Sequence, residues 1–531
     1  MNLNVKVDSE SPLVRSALAI LARRLSERAH VELVQEERPP GLILQVDDTL
    51  PSDSYRIVRD GESVTICGGN DAGVLYGAGR FLRESVIGGG LFTPCDSVPV
   101  SVPDCRIRGM YFAHNFHNWY RSAPLEELVR YVEDLALWGL NHIALPCGTN
   151  PQCSQREIEE EMIPRQLELM RAARKLGIRV GLITVANTLH EAPDPGVTAT
   201  PVRDATPARR GQKGHRVCPG TPGGMALLRE RFRGSLEAYA DVGLDFVINF
   251  PYDEGGCGCE RCAPWGANGY VATCREFSRL ARARYPDCRF ITGTWCFDVL
   301  DEPEGEFDGL DRALREDPSW CNATMVDSHH DFPSWPLSHG TPGGLPMVNF
   351  PEISMWGRIP WLGSGANPFP ERLVRIFGEA SHLLDGGFPY SEGCGEDLNK
   401  IACLSLYWDK ETNAQEIAAA YCRAYFGHAV VDDFVHMTQL METIYPTNAF
   451  DPGVAREVAA LADRIAARLP EDLRTSWRWR LFEMRGEIDQ LTAETPESGE
   501  LSPRQREVYT ELTRLYHMEN SPPSVMKTRG L

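Results

Sequence analysis

The chain has no uninterrupted apolar run of about 18 residues, which excludes a helix that spans a bilayer. It is also short of positive charge. Fifty-four Lys and Arg stand against 74 Asp and Glu, for a formal net charge of −20. Phosphate contacts need clustered cations, so neither nucleic acid nor an anionic membrane surface is expected as a partner. The opening residues, MNLNVKVDSESPLVRSALAILARRL, lack a basic start, an apolar core and a small-residue cleavage site. The expectation is therefore a cytoplasmic chain without a signal peptide. Internal repeats and low-complexity tracts are missing as well. Cysteine is not scarce: 16 residues are spread along the chain, several in apolar runs (Cys67, Cys147, Cys403). That placement suits reduced core thiols better than a disulfide framework.

Residues 1–104 read as a small α/β domain. Asn2–Val7 and Gly41–Val46 look like strands, and Pro12–Arg28 repeats its apolar residues with helical period. Asp60-Gly61 sits at the turn of an expected hairpin. The next helix, Asp71–Glu84, carries Gly73, Gly77 and Gly79, which predicts close packing against a sheet. From 105 to 395 the pattern is strand then helix. Eight short apolar runs recur: Gly109–Ala113, His142–Pro146, Arg179–Val185, Phe246–Phe250, Arg289–Gly293, Ala323–Val326, Pro346–Phe350 and Gly387–Tyr390. Eight such units predict a (β/α)8 barrel. The rival, an open doubly wound sheet, wants a Gly-rich phosphate loop after the first strand, and none is present. Residues 396–531 read as an α-helical C-terminal region ending in an extended tail.

Active sites of such barrels lie at the C-terminal ends of the strands. The runs there end in His114, His117 and Trp119; in Asn187 and His190; in Asp253 and Glu254; in Trp295 and Asp298; in Asp327, His329 and His330; in Glu352 and Trp356; and in Tyr390 and Glu392. Nine of the eleven tryptophans fall between 119 and 408, so flat apolar faces accompany these carboxylates and imidazoles. A sugar needs that mixture, with an apolar face for the ring and hydrogen-bonding groups for its hydroxyls. Asp253-Glu254 is the sharpest feature. Glycoside hydrolysis needs a carboxylic acid to protonate the leaving oxygen and a second group to attack or stabilise the anomeric centre. Adjacent carboxylates in unlike surroundings can divide those roles.

Two stretches carry a resemblance. YRIVRDGESVTICGGNDAGVLYGAGRFL looks like the small domain that precedes the barrel in glycoside hydrolase family 20, the β-N-acetylhexosaminidases. RIRGMYFAHNFHNWYRSAPLEELVRYVEDLALWGLNHIAL looks like that family's first strand, helix and second strand, and more loosely like the α-glucuronidases of family 67. The resemblance implies that Glu254 is the general acid/base and that Asp253 orients a substrate acetamide, giving an exo-acting, substrate-assisted, retaining reaction. It implies that Arg108 grips sugar hydroxyls, that His190 supports the acidic pair, and that Tyr390 and Glu392 form the aromatic and acidic element after strand eight. His114, Trp295, Asp327 and Glu352 complete the expected substrate site. The sequence departs from family 20 at Pro251-Tyr252, where glycines are usual, and at ITVANTLH after strand three, which lacks the family's Pro-Glu-x-Asp pattern. If no acetamide takes part, Asp327, Glu352 or Glu392 must complete the mechanism. Two alternatives follow: an α-glucuronidase-like hydrolase with direct water attack, for which Arg358 would bind the uronate carboxylate, and a carbohydrate-binding pseudoenzyme.

No cofactor is expected for catalysis. CGCERC, directly after the acidic pair, places thiols at Cys257, Cys259 and Cys262, the spacing of a structural Zn²⁺ site that lacks its fourth ligand. Cys274, Cys288, Cys296, His329 and His330 are the candidates for that ligand. The expected partner is a carbohydrate substrate. The C-terminal helices either pack on the barrel or complete a neighbour's pocket in a homodimer.

Overall fold

The computed structural model describes residues 1–35, 39, 41–88, 90–114, 118–147, 154–189, 192–202, 215–252, 255–297, 305–329, 331–354, 365–444, 449–494 and 501–517. Asp253, Glu254 and His190 lie outside the described residues. So do His117, Asp298, His330, Trp356, Arg358 and the C-terminal tail.

The N-terminal part is a six-stranded mixed sheet. Its strand order is Glu32–Val34, Asn2–Val7, Leu42–Val46, Ser63–Gly68, Tyr55–Asp60, Val98–Ser101. The hairpin expected at Asp60-Gly61 is present, with Asp60 opposite Ser63. Helices Pro12–Ala29 and Asp71–Glu84 accompany the sheet. The glycines of the second helix serve two approaches. A Cβ on Gly77 would stand 2.6 Å from Ile66 of the sheet, whereas one on Gly79 would stand 1.9 Å from the carbonyl oxygen of Leu137. Leu137 ends the first barrel helix, so this glycine lets the small domain dock closely on the barrel.

The barrel itself is closed. Strands Ile107–Phe112, His142–Pro146, Arg179–Val185, Phe246–Phe250, Arg289–Gly293, Ala323–Asp327 and Met347–Phe350 pair in parallel, each with the next. The eighth strand is split into Leu384–Gly387 and Tyr390–Ser391, and both pieces pair with the first strand. The break falls at Phe388-Pro389, because proline has no N–H to donate to the ladder. Helices alternate with the strands, from Leu125–Leu137 after the first to Asp397–Trp408 after the eighth. The latter closes the outer ring; the backbone N–H of Cys105 donates to its Tyr407 carbonyl at 2.9 Å. Helices from Ala414–Tyr425 to Pro503–Leu515 then form the C-terminal region. Among the described residues no helix is long and apolar enough to cross a membrane.

Strand residues alternate between two cores. Ile107, Tyr111, Ile183, Phe246, Ile248, Phe250, Ile291, Met325, Val348, Phe350 and Tyr390 fill the barrel interior. Met110, Phe112, Val180, Leu182, Val247 and Phe290 face outward to the helices. Both faces of every strand are buried, as in parallel sheets generally.

Candidate active site at the barrel mouth

The inward residues nearest the C-terminal strand ends are aromatic. Tyr111 and Tyr390 meet edge to face at 5.3 Å, and Phe350 lies 6.1 Å from each. Phe250 of the fourth strand meets Phe350 at 5.2 Å. Trp295, after the fifth strand, lies 5.8 Å from Phe350 and 4.3 Å from the His329 ring. Aromatic residues from five strands thus form the floor of the mouth. Sequence reasoning found Trp295 and Tyr390 but not Tyr111 or Phe350, because apolar strand residues give no sign of which ones reach the end layer.

Two buried glutamates stand on this floor. Glu352 follows the seventh strand and bridges to Tyr390. Its Oε1 accepts from the Ser354 backbone N–H at 2.7 Å and from the Ser354 hydroxyl at 3.1 Å. Its Oε2 lies 3.8 Å from His329 Nε2. Glu392 follows the eighth strand, is 1% exposed, and accepts from the Tyr390 hydroxyl at 2.6 Å. Burial and then the nearby charges of Glu392 and Glu352 push the Tyr390 phenol well above its usual range, so it remains a hydrogen-bond donor. Behind Glu392, Glu396 accepts from the backbone N–H groups of Glu392 and Gly393 at 2.6 and 2.7 Å, which fixes the turn. Asp327 is half-buried beside Trp295 and accepts from the Cys296 N–H at 3.5 Å. The structure therefore brings together Trp295, Asp327, His329, Glu352, Tyr390 and Glu392.

Two expected residues behave differently. Arg108 is fully buried but points away from the mouth. Its guanidinium donates to Asp53 of the small domain at 2.9 Å and to the carbonyls of Gly139 and Cys105 at 2.7 and 2.9 Å, and it stacks near Tyr76 and Trp408. The reason is register. Ile107 and Tyr111 face inward, so Arg108 faces outward, and the expectation that it grips sugar hydroxyls is corrected to a contact between the barrel and the N-terminal α/β region. His114 follows the first strand, is 1% exposed and stacks on Tyr120. Burial, helped by Arg165 and Arg121, pushes it down to about 3, so it is neutral.

Asp253 and Glu254 lie between pinned neighbours. Trp265 donates to the carbonyl of Pro251 at 2.7 Å. The Tyr252 hydroxyl donates to Glu306, which also accepts from the Gly266 N–H at 3.1 Å. On the other side the Asn187 side chain accepts from Gly256 N–H at 2.8 Å and donates to the Gly256 carbonyl at 3.1 Å. The same amide donates to the Val217 carbonyl at 2.8 Å. Asn187 was placed at the rim by the sequence but given no such role, and Glu306 was not singled out, because a helix-start Glu carries no signal of a clamp.

The thiol that joins Cys257, Cys259 and Cys262 is Cys218, in place of the candidates Cys274, Cys288, Cys296, His329 and His330 that the sequence offered. Cys218, Cys257, Cys259 and Cys262 place their sulfurs within 4.8 Å of one another, and all but Cys259 are fully buried, so the group could coordinate a metal ion. The hydrogen bond from Cys262 lowers the Cys257 thiol, while burial raises that of Cys218. Cys274 and Cys288 are instead core thiols, each pushed up to about 12 by burial.

Neither a protein-family model nor a curated protein sequence matches the chain. Solved structures do. A family 115 4-O-methyl-α-glucuronidase with specificity for decorated arabinogalactans aligns over 99% of this chain and 77% of its own, at 10% identity and TM-score 0.61. A family 89 glycoside hydrolase from Clostridium perfringens aligns over 98% and 65%, at 12% identity and TM-score 0.62. A family 20 exo-β-N-acetylglucosaminidase from Vibrio harveyi aligns over 83% and 74%, at 14% identity and TM-score 0.55. The fold is that of glycoside hydrolase barrels. The similarity is spread over several families, and at these identities it is one of fold.

Proposed function

We propose that the chain is an exo-acting glycoside hydrolase in which Glu254 protonates the leaving oxygen and Glu392 activates a water that attacks the anomeric carbon directly. The observation that carries this reading is the pair of buried carboxylates at the ends of strands seven and eight: Glu392 accepts from the Tyr390 hydroxyl, and Glu352 pairs with Tyr390 through the backbone. Strand eight stands opposite strand four in a ring of eight, and Glu254 follows strand four in the sequence, so this reading assigns the acid and Glu392 to opposite sides of the mouth. That is the arrangement a two-carboxylate hydrolysis uses. Glu352, with His329, is assigned to holding sugar hydroxyls, and Trp295 to the apolar face of the ring. The likeness to an α-glucuronidase over nearly the whole chain supports a uronic acid glycoside as substrate. The bond-breaking step draws on no cofactor; zinc at the four-cysteine cluster has a structural part only. The free thiols of the described residues support a cytoplasmic setting.

A second reading is favoured by one observation, the adjacency of Asp253 and Glu254. There Asp253 would hold an acetamide that attacks in place of water, as the family 20 resemblance implies, on a β-N-acetylhexosaminide.

The test uses aryl and alkyl glycosides of glucuronic acid, N-acetylglucosamine, N-acetylgalactosamine and glucose, with the first-formed anomer read by NMR. The proposal expects a glucuronide to be hydrolysed with inversion. Glu254→Gln should lower kcat by about 10²–10⁴-fold, more for alkyl than for aryl leaving groups. Retention on an acetamido sugar would transfer the assignment to the second reading. Tight sugar binding with no turnover of any member would make the chain a binding protein.

A further inference from the structure

Two separate stretches bring four thiols to one point. Cys257, Cys259 and Cys262 belong to the loop after the fourth barrel strand. Cys218 belongs to the turn before helix Pro222–Ala238, on the return from the third strand. Cys218 Sγ lies 3.6 Å from that of Cys259 and 3.8 Å from that of Cys262. A disulfide needs about 2.05 Å. Four sulfurs about 2.3 Å from a central zinc stand roughly 3.8 Å apart, so the observed separations are those of a tetrahedron's edges.

Gly220 makes room for the group: a Cβ there would stand 3.1 Å from Cys262 Sγ and 3.5 Å from Cys218 Sγ. No carboxylate or histidine of the described residues joins the group, so four thiolates would close the coordination shell and leave no position for substrate.

We propose that Cys218, Cys257, Cys259 and Cys262 bind one Zn²⁺ as a closed structural site that staples the third-strand return to the fourth-strand loop. Binding forms four Zn–S bonds and releases the thiol protons to solvent. Cys257 follows Glu254 by three residues, so the staple also limits where the proton donor can sit. This last clause rests on the proposed role of Glu254; the metal site does not.

The experiment uses the full chain, purified without chelator. Elemental analysis should give one zinc per chain, released in full when an organomercurial titrates the thiols. Replacement by Co²⁺ should give the thiolate charge-transfer and tetrahedral d–d bands of a four-sulfur site. Cys218→Ser and Cys259→Ser should each retain about a tenth of the zinc or less. In case these variants fail to fold, wild-type protein is stripped by chelation and followed by hydrogen exchange. Residues 215–221 and 255–262 should lose protection while the barrel strands keep theirs. Folded protein without zinc that takes up neither Zn²⁺ nor Co²⁺ would overturn the site, as would a disulfide among these cysteines or an iron-loaded centre. Unchanged exchange after zinc removal would overturn the staple. If zinc is present and Glu254→Gln is fully active, the metal site stands and the catalytic assignment falls.

Discussion

Tyr390 and Glu392 lie two residues apart at the end of the last barrel strand, and the phenol donates to the carboxylate at 2.6 Å. This bond holds the carboxylate that is assigned the general-base role. Tyr390→Phe removes the donor without changing the ring. The loss of a hydrogen bond to a buried carboxylate corresponds to about 1.5–3 kcal/mol, or roughly 10–100-fold in rate. The variant should lose kcat by that factor with KM little changed. Wild-type kcat in Tyr390→Phe would remove Tyr390 from this role.

Arg108 joins the small domain to the barrel through Asp53. Arg108→Met should leave the Asp53 carboxylate and two carbonyls without their donor. The expected cost is about 3 kcal/mol of stability, read from denaturant unfolding. At a temperature where the variant is folded, KM should match wild type. A selective rise in KM would restore the sugar-gripping role that the resemblance implied.

The barrel was legible because parallel strands are buried on both faces and read as short apolar runs, as at Phe246–Phe250 and Arg179–Val185. The same property hid the site. Where every residue of Ile107–Phe112 is buried, nothing in the sequence tells Arg108 from Tyr111, and the Arg-Gly resemblance assigned the wrong face. The eighth strand was placed late, since Gly386 and Gly387 dilute its apolar signal and Pro389 breaks it. The carboxylates Glu352 and Glu392 were visible because polar residues ending an apolar run stand out. Cys218 was not, because a ligand contributed from the preceding strand's return has no spacing rule to announce it.

His114 gives the fold a pH dependence. Its folded value is held down to about 3 by burial, then by Arg165 and Arg121, against about 6.5 in an unfolded chain. Between these values the unfolded chain binds a proton that the folded chain refuses, so stability falls as pH drops below about 6.5. At pH 5 this one group should cost about 2 kcal/mol relative to pH 8. His114→Phe, which keeps a ring against Tyr120, should lose correspondingly less between the two pH values in urea unfolding. An equal loss in both proteins would show that other groups govern the acid limb.

Asn187 separates the geometry of the loop from its mere presence. Its one amide serves the N–H and carbonyl of Gly256 and the carbonyl of Val217, so it ties the segment after Glu254 to the segment before Cys218. Asn187→Ala leaves three buried backbone groups without that partner, at an expected cost of about 3 kcal/mol. Misplacing a proton donor by about 1 Å can cost on the order of 100-fold in rate. The variant should therefore lose kcat far more than it changes KM, at a temperature where it remains folded. Zinc content should fall little, because all four thiols remain. A lower Tm with wild-type kcat would mean that the clamp stabilises the fold without setting the position of Glu254, and that the cysteine staple alone is enough to hold the loop.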